Sequence, residues 1–458
     1  MKGKEKALNF LFELATLAEH NNYIDPELYA RYNVKRGLRN PDGSGVLVGI
    51  TTIGDVHGYI IDENETKPVE GRLRYRGIDV KELVKGFQTE NRFGFEETAF
   101  LLLFGKLPGE VELENFKQLL IDNRELPEGF VENMILKAPS KDIMNKLARS
   151  VFASYSYDDN PDDTSVPNVL RQCIELIARF PAMIAYGYQA KQHYHHGQSL
   201  YIHNQKRNLS TAENFLSLIR PDKEFSKIEA EILDLALVLH AEHGGGNNST
   251  FTLHVVASTG TDTYSAIGAA VGSLKGPKHG GANKEVMEMM DDIKSHVKDW
   301  TNEQEIRDYL VKIIRKEAFD RSGLIYGMGH AVYSLSDPRA VLLKEKAAEL
   351  AAEKKREEEF TLYKNVEKIG KEVFAEEKKN KVICANVDFY SGFVYDMLSI
   401  PRELHTPIFA MGRIAGWSAH LIEEIVSGGK IIRPAFKYVL PPQEYLPLNQ
   451  RGKLGIFY

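Results

Sequence analysis

Apolar residues recur at three- and four-residue spacing along most of the chain after about residue 80. The segments at 94–108 (GFEETAFLLLFGKLP) and 230–243 (AEILDLALVLHAEH) show this spacing, with glycine or proline near their ends. Such a period places the apolar side chains on one face of an α-helix. The first 22 residues, MKGKEKALNFLFELATLAEHNN, also predict an amphipathic helix. The chain is therefore predicted to be mostly helical.

Strand signals are confined to residues 45–76. There, GVLVGITTIGDVHGYIID combines β-branched residues and glycines with the rhythm of a hairpin. No βαβ alternation appears and no G-x-G-x-x-G follows a predicted strand, which excludes a Rossmann-type fold despite the 36 glycines. The predicted fold class is all-α with a small β element near the N-terminus.

One later segment, AVLLKEKAAELAAEKKREEEF at 340–360, is rich in alanine, glutamate and lysine. Opposite charges four residues apart stabilise a helix locally, so a helix is predicted there. Its charged face is either a docking surface or a solvated face. We favour the solvated face because local pairs need no partner.

The composition narrows the class of protein. The 458 residues, 43% hydrophobic, suffice for a large core, and the net charge of −6 argues against nucleic acid or an anionic membrane as the main partner. Cys173 and Cys384 lie far apart, as expected in a reducing compartment. No apolar run reaches the roughly 18 residues that span a membrane. The first residues contain Glu5, Glu13 and Glu19 and lack arginine, so a cytoplasmic protein is expected.

The first segment with unusual chemistry is LHAEHGGGNNSTFTLH at 239–254. His240 and His243 lie three residues apart at the end of a predicted helix, on roughly one face, and glycines 244–246 are predicted to end that helix. Paired helical histidines can bind zinc. Glu242, however, has the wrong offset for H-E-x-x-H and no further ligand is near, so a metal site is disfavoured. Capping or packing histidines are the alternative to a functional pair.

Two further segments place a histidine among glycines. In LKGPKHGGANKE (274–285), His279 stands between Gly-Pro and Gly-Gly, which lets a ligand reach the imidazole. The predicted helix that follows can present N–H groups to an anion. In GLIYGMGHAVYSLSDPRA (323–340), His330 follows closely spaced glycines and Arg339 follows nine residues later. A histidine in such surroundings is poorly placed to be a core residue.

Three charged residues in apolar surroundings are further candidate functional residues. Asp388 lies within VICANVDFYSGFVYDML (382–398), where it is either a hydrogen-bonded structural residue or a partly desolvated base. Arg413 and Arg433 also lie in segments with few charges. Burying an unpaired guanidinium is costly, so each arginine is expected to meet an anionic partner.

Together, these segments resemble the citrate synthase family, in whose members they occur in the same order and at similar separations. The resemblance covers about residues 40–440 and includes GRLRYRGIDVKELV at 71–84. Each motif is short, but their combination is highly specific. The motifs are LHAEHGGGNNST, GPKHGGANKE, GMGHAVYSLSDPRA, NVDFYSG, GRIAGW and IIRP.

The resemblance implies a citrate-synthase-like, two-domain, multi-helical fold. The large domain would span 1–280, including an extension at 1–40, and be completed by 391–458, with the small domain at 281–390. The family forms homodimers with active sites between domains, which are expected to close after oxaloacetate binds. As acyltransferases of the tricarboxylic acid cycle, its members condense acetyl-coenzyme A (acetyl-CoA) with oxaloacetate and water, giving citrate and CoA without a metal or redox cofactor.

By the same resemblance, the catalytic residues are His279, His330 and Asp388. Asp388 matches the base that takes a proton from the acetyl methyl group. His279 matches the histidine that donates a hydrogen bond to the thioester oxygen as the enol or enolate forms. His330 matches the histidine that polarises the oxaloacetate ketone and donates a proton to it.

Substrate binding is also carried over from the family. Oxaloacetate would bind to His243, Asn247, Arg339 and Arg413, and to Arg433 of the partner subunit in the homodimer. A dicarboxylate substrate accounts for several arginines in an acidic protein, because a planar guanidinium matches a carboxylate better than an ammonium group does.

The glycine-rich segment would accept CoA along Gly327, Met328 and Gly329. Two positions depart from the commoner family patterns. HGGGNNS replaces HEQN or HEGGN, so Gly244 stands where the acidic residue is usual, and Ala331 replaces an arginine of many bacterial members. Some members share the alanine, so it does not indicate loss of function.

Three other functions compete with citrate synthesis. A 2-methylcitrate synthase would use propionyl-CoA with the same catalytic residues, and one methylene changes discrimination by only about 1–3 kcal/mol. A non-catalytic helical paralogue would make the catalytic residues incidental. A metal-dependent hydrolase would lose activity with a chelator, which is not expected.

Overall fold

The computed structural model describes residues 2–40, 43–62, 65–378 and 382–451. The described residues form two compact units, one made of those up to Gly49 and from Arg433 onward, the other running from Ile50 to Ile432. The division into domains at 1–280, 281–390 and 391–458 stays a prediction.

The first unit contains two helices, α1 (Lys2–Asn21) and α2 (Glu27–Arg31), and two single 3₁₀ turns. Helix α1 confirms the predicted N-terminal helix. Its large apolar side chains are exposed, including Leu11 and Phe12, and so is Phe436 in the C-terminal segment of this unit. From Phe436 to Arg451, the described residues have no regular structure apart from the 3₁₀ turn Leu448–Gln450.

The second unit begins with an antiparallel sheet of three strands in sequence order, β1 (Gly54–Asp62), β2 (Glu65–Tyr75) and β3 (Ile78–Asp79). The register of β1 against β2 shifts between His57 and Tyr59, as at a bulge. The predicted hairpin is thus confirmed, although residues 63–64 lie outside the described ones. Residues 46–53 of the predicted strand region are not a strand.

The remainder of this unit is helical, which confirms the predicted fold class. Its α-helices are α3 (Val80–Thr89), α4 (Phe95–Phe104), α5 (Glu110–Asp122), α6 (Ile143–Ser154), α7 (Val166–His196), α8 (Thr211–Ile219), α9 (Lys227–His240), α10 (Asn248–Ala257), α11 (Thr263–Lys275), α12 (Ala282–His296), α13 (Glu303–Ile314), α14 (Pro338–Glu353), α15 (Glu357–Glu377), α16 (Val387–Met397) and α17 (His405–Ser427).

Helix α17 lies at the centre of this unit and packs against α4, α7, α9, α10 and α11. Most of its residues are buried, and Trp417 and Arg413 are among the largest fully buried side chains. The ends of other helices carry the expected signals. Ser226, for example, accepts from the backbone of Glu229, whose side chain accepts from the backbone of Ser226.

Two predictions of helix extent were wrong. Helix α9 ends at His240, before the glycines, so His243 lies in the irregular segment beyond the helix and shares no helical face with His240. Segment 340–360 is split between α14 and α15, and Lys355 has a positive φ of 55° at the break. No described helix is long and apolar enough to cross a membrane.

Candidate active site

The loop with His330 is joined to the segment with Asp388 by backbone pairing. The N–H of Gly329 donates to the carbonyl of Cys384 at 2.7 Å, and the N–H of Asn386 donates to that of Gly327 at 2.9 Å. The side-chain amide of Asn386 adds a bond to the carbonyl of Gly329 at 3.0 Å. Asn386 also caps α16 by accepting from the N–H of Asp388. This pairing fixes the two segments relative to each other.

Close packing explains the glycines in this loop. Gly327 and Gly329 have φ values of 75° and 96°, in the region that favours glycine. A Cβ on Gly327 would lie 2.7 Å from Cγ2 of Val286 and 3.0 Å from Cα of Phe389. The N–H of Met328 also bonds within the chain. Most backbone polar groups at 327–329 therefore have internal partners, and CoA binding there stays a prediction.

His330 has a defined tautomer. Its Nδ1 accepts the backbone N–H groups of Val332 and Tyr333 at 3.0 and 3.2 Å, so the proton of the neutral ring is on Nε2. The ring stacks on that of Tyr333 with centroids 4.7 Å apart. The rings of His243 and His330 pack edge to face, with their centroids 5.0 Å apart. His330 thus presents an N–H donor from a stacked, oriented ring.

His243 is a buried, neutral histidine beside these groups. It is 8% exposed, and its Nε2 has no hydrogen-bond partner among the described residues. Burial lowers its pKa well below the usual value, and the charge of Arg339 acts in the same direction. A buried polar atom without a partner is costly and suits a position that meets a polar ligand.

Arg339 and Arg413 are both buried, and they differ in their hydrogen-bond partners. Arg339 donates from Nε and Nη2 to the two carboxylate oxygens of Asp337, at 3.0 and 2.7 Å. Burial alone would lower the pKa of Arg339, but Asp337 outweighs it and the pKa is raised. Arg413 donates from Nε to the carbonyl of His240 at 2.6 Å and lies over the ring of Phe409. Its two terminal nitrogens have no partner among the described residues.

Asp388 and His279 line one cavity. Burial raises the pKa of Asp388 to about 6, although Arg339 and Arg413 oppose it. No hydrogen bond from a described residue reaches its carboxylate. Burial, helped by Arg413, lowers the pKa of His279 to about 4, and its Nε2 also has no partner among the described residues. The cavity therefore brings a carboxylate of raised basicity close to a neutral imidazole.

The loop of His279 depends on its flanking glycines. A Cβ on Gly280 would lie 2.1 Å from the carbonyl oxygen of Leu274, and one on Gly281 would lie 2.6 Å from that of Pro277. The loop is therefore folded tightly between α11 and α12. The predicted helix after it is confirmed as α12.

The other predicted residues take different places. Asn247 caps α10, and its Oδ1 accepts from the N–H and hydroxyl of Ser249. Arg433 is exposed and belongs to the other compact unit. His240 bonds through Nε2 to the Tyr395 hydroxyl at 2.9 Å. Among described residues, no three or more His, Cys, Asp or Glu side chains are grouped to hold a metal ion.

Several site residues were not predicted from the sequence. Tyr333 stacks on His330, and Asp337 pairs with Arg339. Asp337 could have been found, because an aspartate before Pro-Arg is a strong helix cap. Tyr395 and His405, which line the cavity of Asp388, carry no local signal because α16 and α17 bring them there.

The arrangement suits carbon–carbon bond formation between an acidified C–H and a carbonyl. A carboxylate can abstract the proton while neutral N–H donors stabilise the developing oxyanions. Two buried guanidinium groups provide for a substrate with carboxylates. With His243, these groups come from five separate parts of the chain, at 243, 279, 330–339, 388 and 413.

Comparisons with known proteins identify the family of the chain. A family model described as "Citrate synthase, C-terminal domain" matches residues 42–435. Citrate synthase from Synechocystis sp. is 35% identical over 390 residues, covering 83% of this chain and 89% of that protein. A 2-methylcitrate synthase from Shewanella oneidensis is 34% identical over 387 residues, covering 83% and 92%.

A solved structure is also similar. It is the ternary complex of carboxymethyl-CoA and oxaloacetate with citrate synthase from the archaeon Thermoplasma acidophilum. The TM-score is 0.74 and the identity 26%, covering 91% of this chain and 99% of that one. The family model spans most of the chain, and both relatives exceed 30% identity over more than two thirds of it. The chain belongs to the citrate synthase family.

Proposed function

We propose that this protein condenses acetyl-CoA with oxaloacetate and water to give citrate and CoA. The observation that carries the proposal is the shared cavity of Asp388 and His279, joined through the paired backbone to the cluster of His330, His243 and Arg339. The part of the site around Asp388 and His279 provides a base and a hydrogen-bond donor. The part around His330, His243 and Arg339 provides hydrogen-bond donors and positive charge for a dicarboxylate.

In the first step, the Asp388 carboxylate takes a proton from the acetyl methyl group. A thioester α-proton is very weakly acidic, so the developing oxyanion must be stabilised at the same moment. The neutral imidazole of His279 donates to that oxygen, and a donor of this kind typically contributes about 3 kcal/mol. The raised pKa of Asp388, about 6, makes it a stronger base than an exposed aspartate while leaving it mostly ionised at pH 7.

In the second step, the enol carbon attacks the ketone carbon of oxaloacetate, and the ketone oxygen gains the electron pair and a proton. The Nε2–H of His330 points to this role because both bonds to Nδ1 keep the proton on Nε2. Arg413 and His243 would bind the substrate carboxylates with their unpartnered nitrogens. Arg339 would bind with the guanidinium N–H groups that do not bond Asp337. Water then cleaves the thioester of citryl-CoA, releasing citrate and CoA.

The homodimer is part of the proposal. The unit that carries Arg433 exposes large apolar side chains, among them Phe12, Phe436 and Tyr445, and such surfaces are typical of interfaces. In the dimer, Arg433 would reach the site of the partner subunit. Mixing an Arg433→Ala variant with a His279→Ala variant tests this, because mixed dimers would regain one intact site.

A second candidate is 2-methylcitrate synthesis from propionyl-CoA, favoured by the 34% identity to the enzyme from Shewanella oneidensis. Release of CoA from acetyl-CoA and propionyl-CoA, each with oxaloacetate, decides between them through kcat/KM. We expect acetyl-CoA to be preferred. A clear propionyl-CoA preference would replace the first proposal by the second, and no release from either would refute both.

A further inference from the structure

Four titratable side chains form a line that begins at Glu242, the residue before His243 in the sequence. Oε1 of Glu242 lies 3.1 Å from Nε2 of His420, and Nδ1 of His420 lies 3.2 Å from Nε2 of His254. Nδ1 of His254 lies 2.9 Å from Oε2 of Glu424, at the less buried end. Glu242 and His420 are completely buried. The steps described under Proposed function use none of these four side chains.

The Glu242 carboxylate packs closely against two glycines, which have no side chain in the way. A Cβ on Gly54 would lie 2.7 Å from Oε1 of Glu242, and one on Gly416 would lie 2.6 Å from Oε2. Oε1 also accepts the N–H of Gly244, which closes the turn immediately after His243. The carboxylate therefore fixes the backbone on both sides of His243.

The carboxylates at the two ends of the line fix where its hydrogen bonds begin. Glu242 is ionised, because His420 and Arg413 outweigh burial and hold its pKa below the usual value. A carboxylate only accepts, so Nε2 of His420 donates to Glu242 and Nδ1 of His254 donates to Glu424. The remaining hydrogen bond, between Nδ1 of His420 and Nε2 of His254, holds the His420 ring in the orientation that bonds Glu242.

The charge of Glu242 also acts on Arg413. Burial lowers the pKa of Arg413 to about 10, and Glu242 is the strongest influence in the opposite direction. Arg339, by contrast, has Asp337 as a direct partner. Glu242 offsets the charge of Arg413 without bonding its terminal nitrogens, which stay open to a ligand.

We propose that Glu242, held by His420, is a positioning residue that keeps the turn after His243 closed and so orients His243 toward a dicarboxylate. The inference rests on the proposed function for the identity of that dicarboxylate, oxaloacetate.

The test is calorimetric binding of oxaloacetate to the full-length protein at pH 7. Glu242→Gln should bind about tenfold more weakly than the wild type, as expected when a bond to a charged group is lost.

A pair of variants at His420 provides rescue. Gln carries an amide N–H near the position of Nε2, so His420→Gln should bind nearly as the wild type does, and His420→Leu should bind as Glu242→Gln does. The two His420 variants still test the proposal if Glu242→Gln does not fold. Glu403→Gln is the matched control, because Glu403 lies just before the helix of His420 and pairs with Lys191 and Gln192 instead.

Three results separate the possibilities. Weaker binding by Glu242→Gln and His420→Leu, with nearly wild-type binding by His420→Gln and Glu403→Gln, supports the proposal. Unchanged binding by Glu242→Gln, or equal losses in His420→Gln and His420→Leu, overturns it. Failure of the wild type to bind oxaloacetate at all would overturn the proposed function, and this inference with it.

Discussion

Asp337 accepts two hydrogen bonds from the guanidinium of Arg339, at 3.0 Å to Oδ1 and 2.7 Å to Oδ2. Both side chains are buried, and Asp337 also caps α14 by accepting the N–H of Arg339. One carboxylate therefore aims the arginine, offsets its charge and starts the helix that carries it. Removing its charge would leave a buried, uncompensated cation.

Replacing Asp337 by Asn should destabilise the protein strongly. Breaking a buried ion pair by removing one partner typically costs about 3–5 kcal/mol, whereas asparagine preserves the helix cap. Denaturant unfolding of the two proteins measures the loss. We also expect weaker oxaloacetate binding, because the guanidinium is no longer oriented.

Asp262→Asn is the matched control. Asp262 caps α11 through the N–H and hydroxyl of Ser265 and has no arginine partner among the described residues. Its replacement should cost less than about 2 kcal/mol, since asparagine also caps well. Equal losses in the two variants would show that the ion pair contributes nothing beyond capping.

Activity should fall in acid with an apparent pKa near that of Asp388. The base must be ionised, and burial raises its pKa to about 6, so kcat/KM for acetyl-CoA should rise through pH 6 and level off above pH 7. A pH–rate profile from pH 5 to pH 8 measures this.

Asp396→Asn controls for charge on the same helix, because Asp396 pairs with Arg356 and is not among the described residues that line the cavity. It should leave the acid limb in place. An acid limb near the ordinary aspartate pKa of about 3.9 would contradict the proposed environment of Asp388.

Gly327→Ala should reduce both stability and kcat. The added Cβ meets Val286 and Phe389 and the residue has a positive φ, so a cost of about 1–3 kcal/mol is expected. The same shift would move His330 relative to Asp388 through the paired backbone. Thermal unfolding and steady-state kinetics measure the two effects.

Gly272→Ala is the corresponding control in helix α11. A Cβ there meets nothing within 4 Å, and alanine is the better helix former by about 0.5–1 kcal/mol. The variant should be as stable as the wild type or more so, with unchanged kcat. A Gly327→Ala enzyme that behaves in the same way would argue against tight packing at this loop.

Local patterns predicted the helices and the hairpin, because capping and periodicity are written in neighbouring residues. The break between α14 and α15 could not be predicted in this way. No glycine or proline stands there, and ion pairs of Lys354 with Glu229 and Arg356 with Asp396 hold it from other helices. Long-range partners therefore decide where this segment leaves the helix.

In the candidate site, too, some residues could be predicted from their neighbours in the sequence and others could not. Histidines among glycines signalled His279 and His330 locally. The bond between Glu242 and His420 joins residues 178 positions apart, and no spacing rule connects them. The expectation for Arg413 was right in placing it among apolar residues, but its anionic neighbour, Glu242, emerges only when α9 and α17 pack together.

Asp388 is proposed as the base of one site that joins acetyl-CoA to oxaloacetate. The most direct test measures CoA release from acetyl-CoA and oxaloacetate by the wild type and by Asp388→Asn, together with calorimetric binding of oxaloacetate. We predict that the wild type releases CoA, whereas the variant binds oxaloacetate with little change and releases at least about a thousandfold less CoA. Full activity in Asp388→Asn would contradict the account.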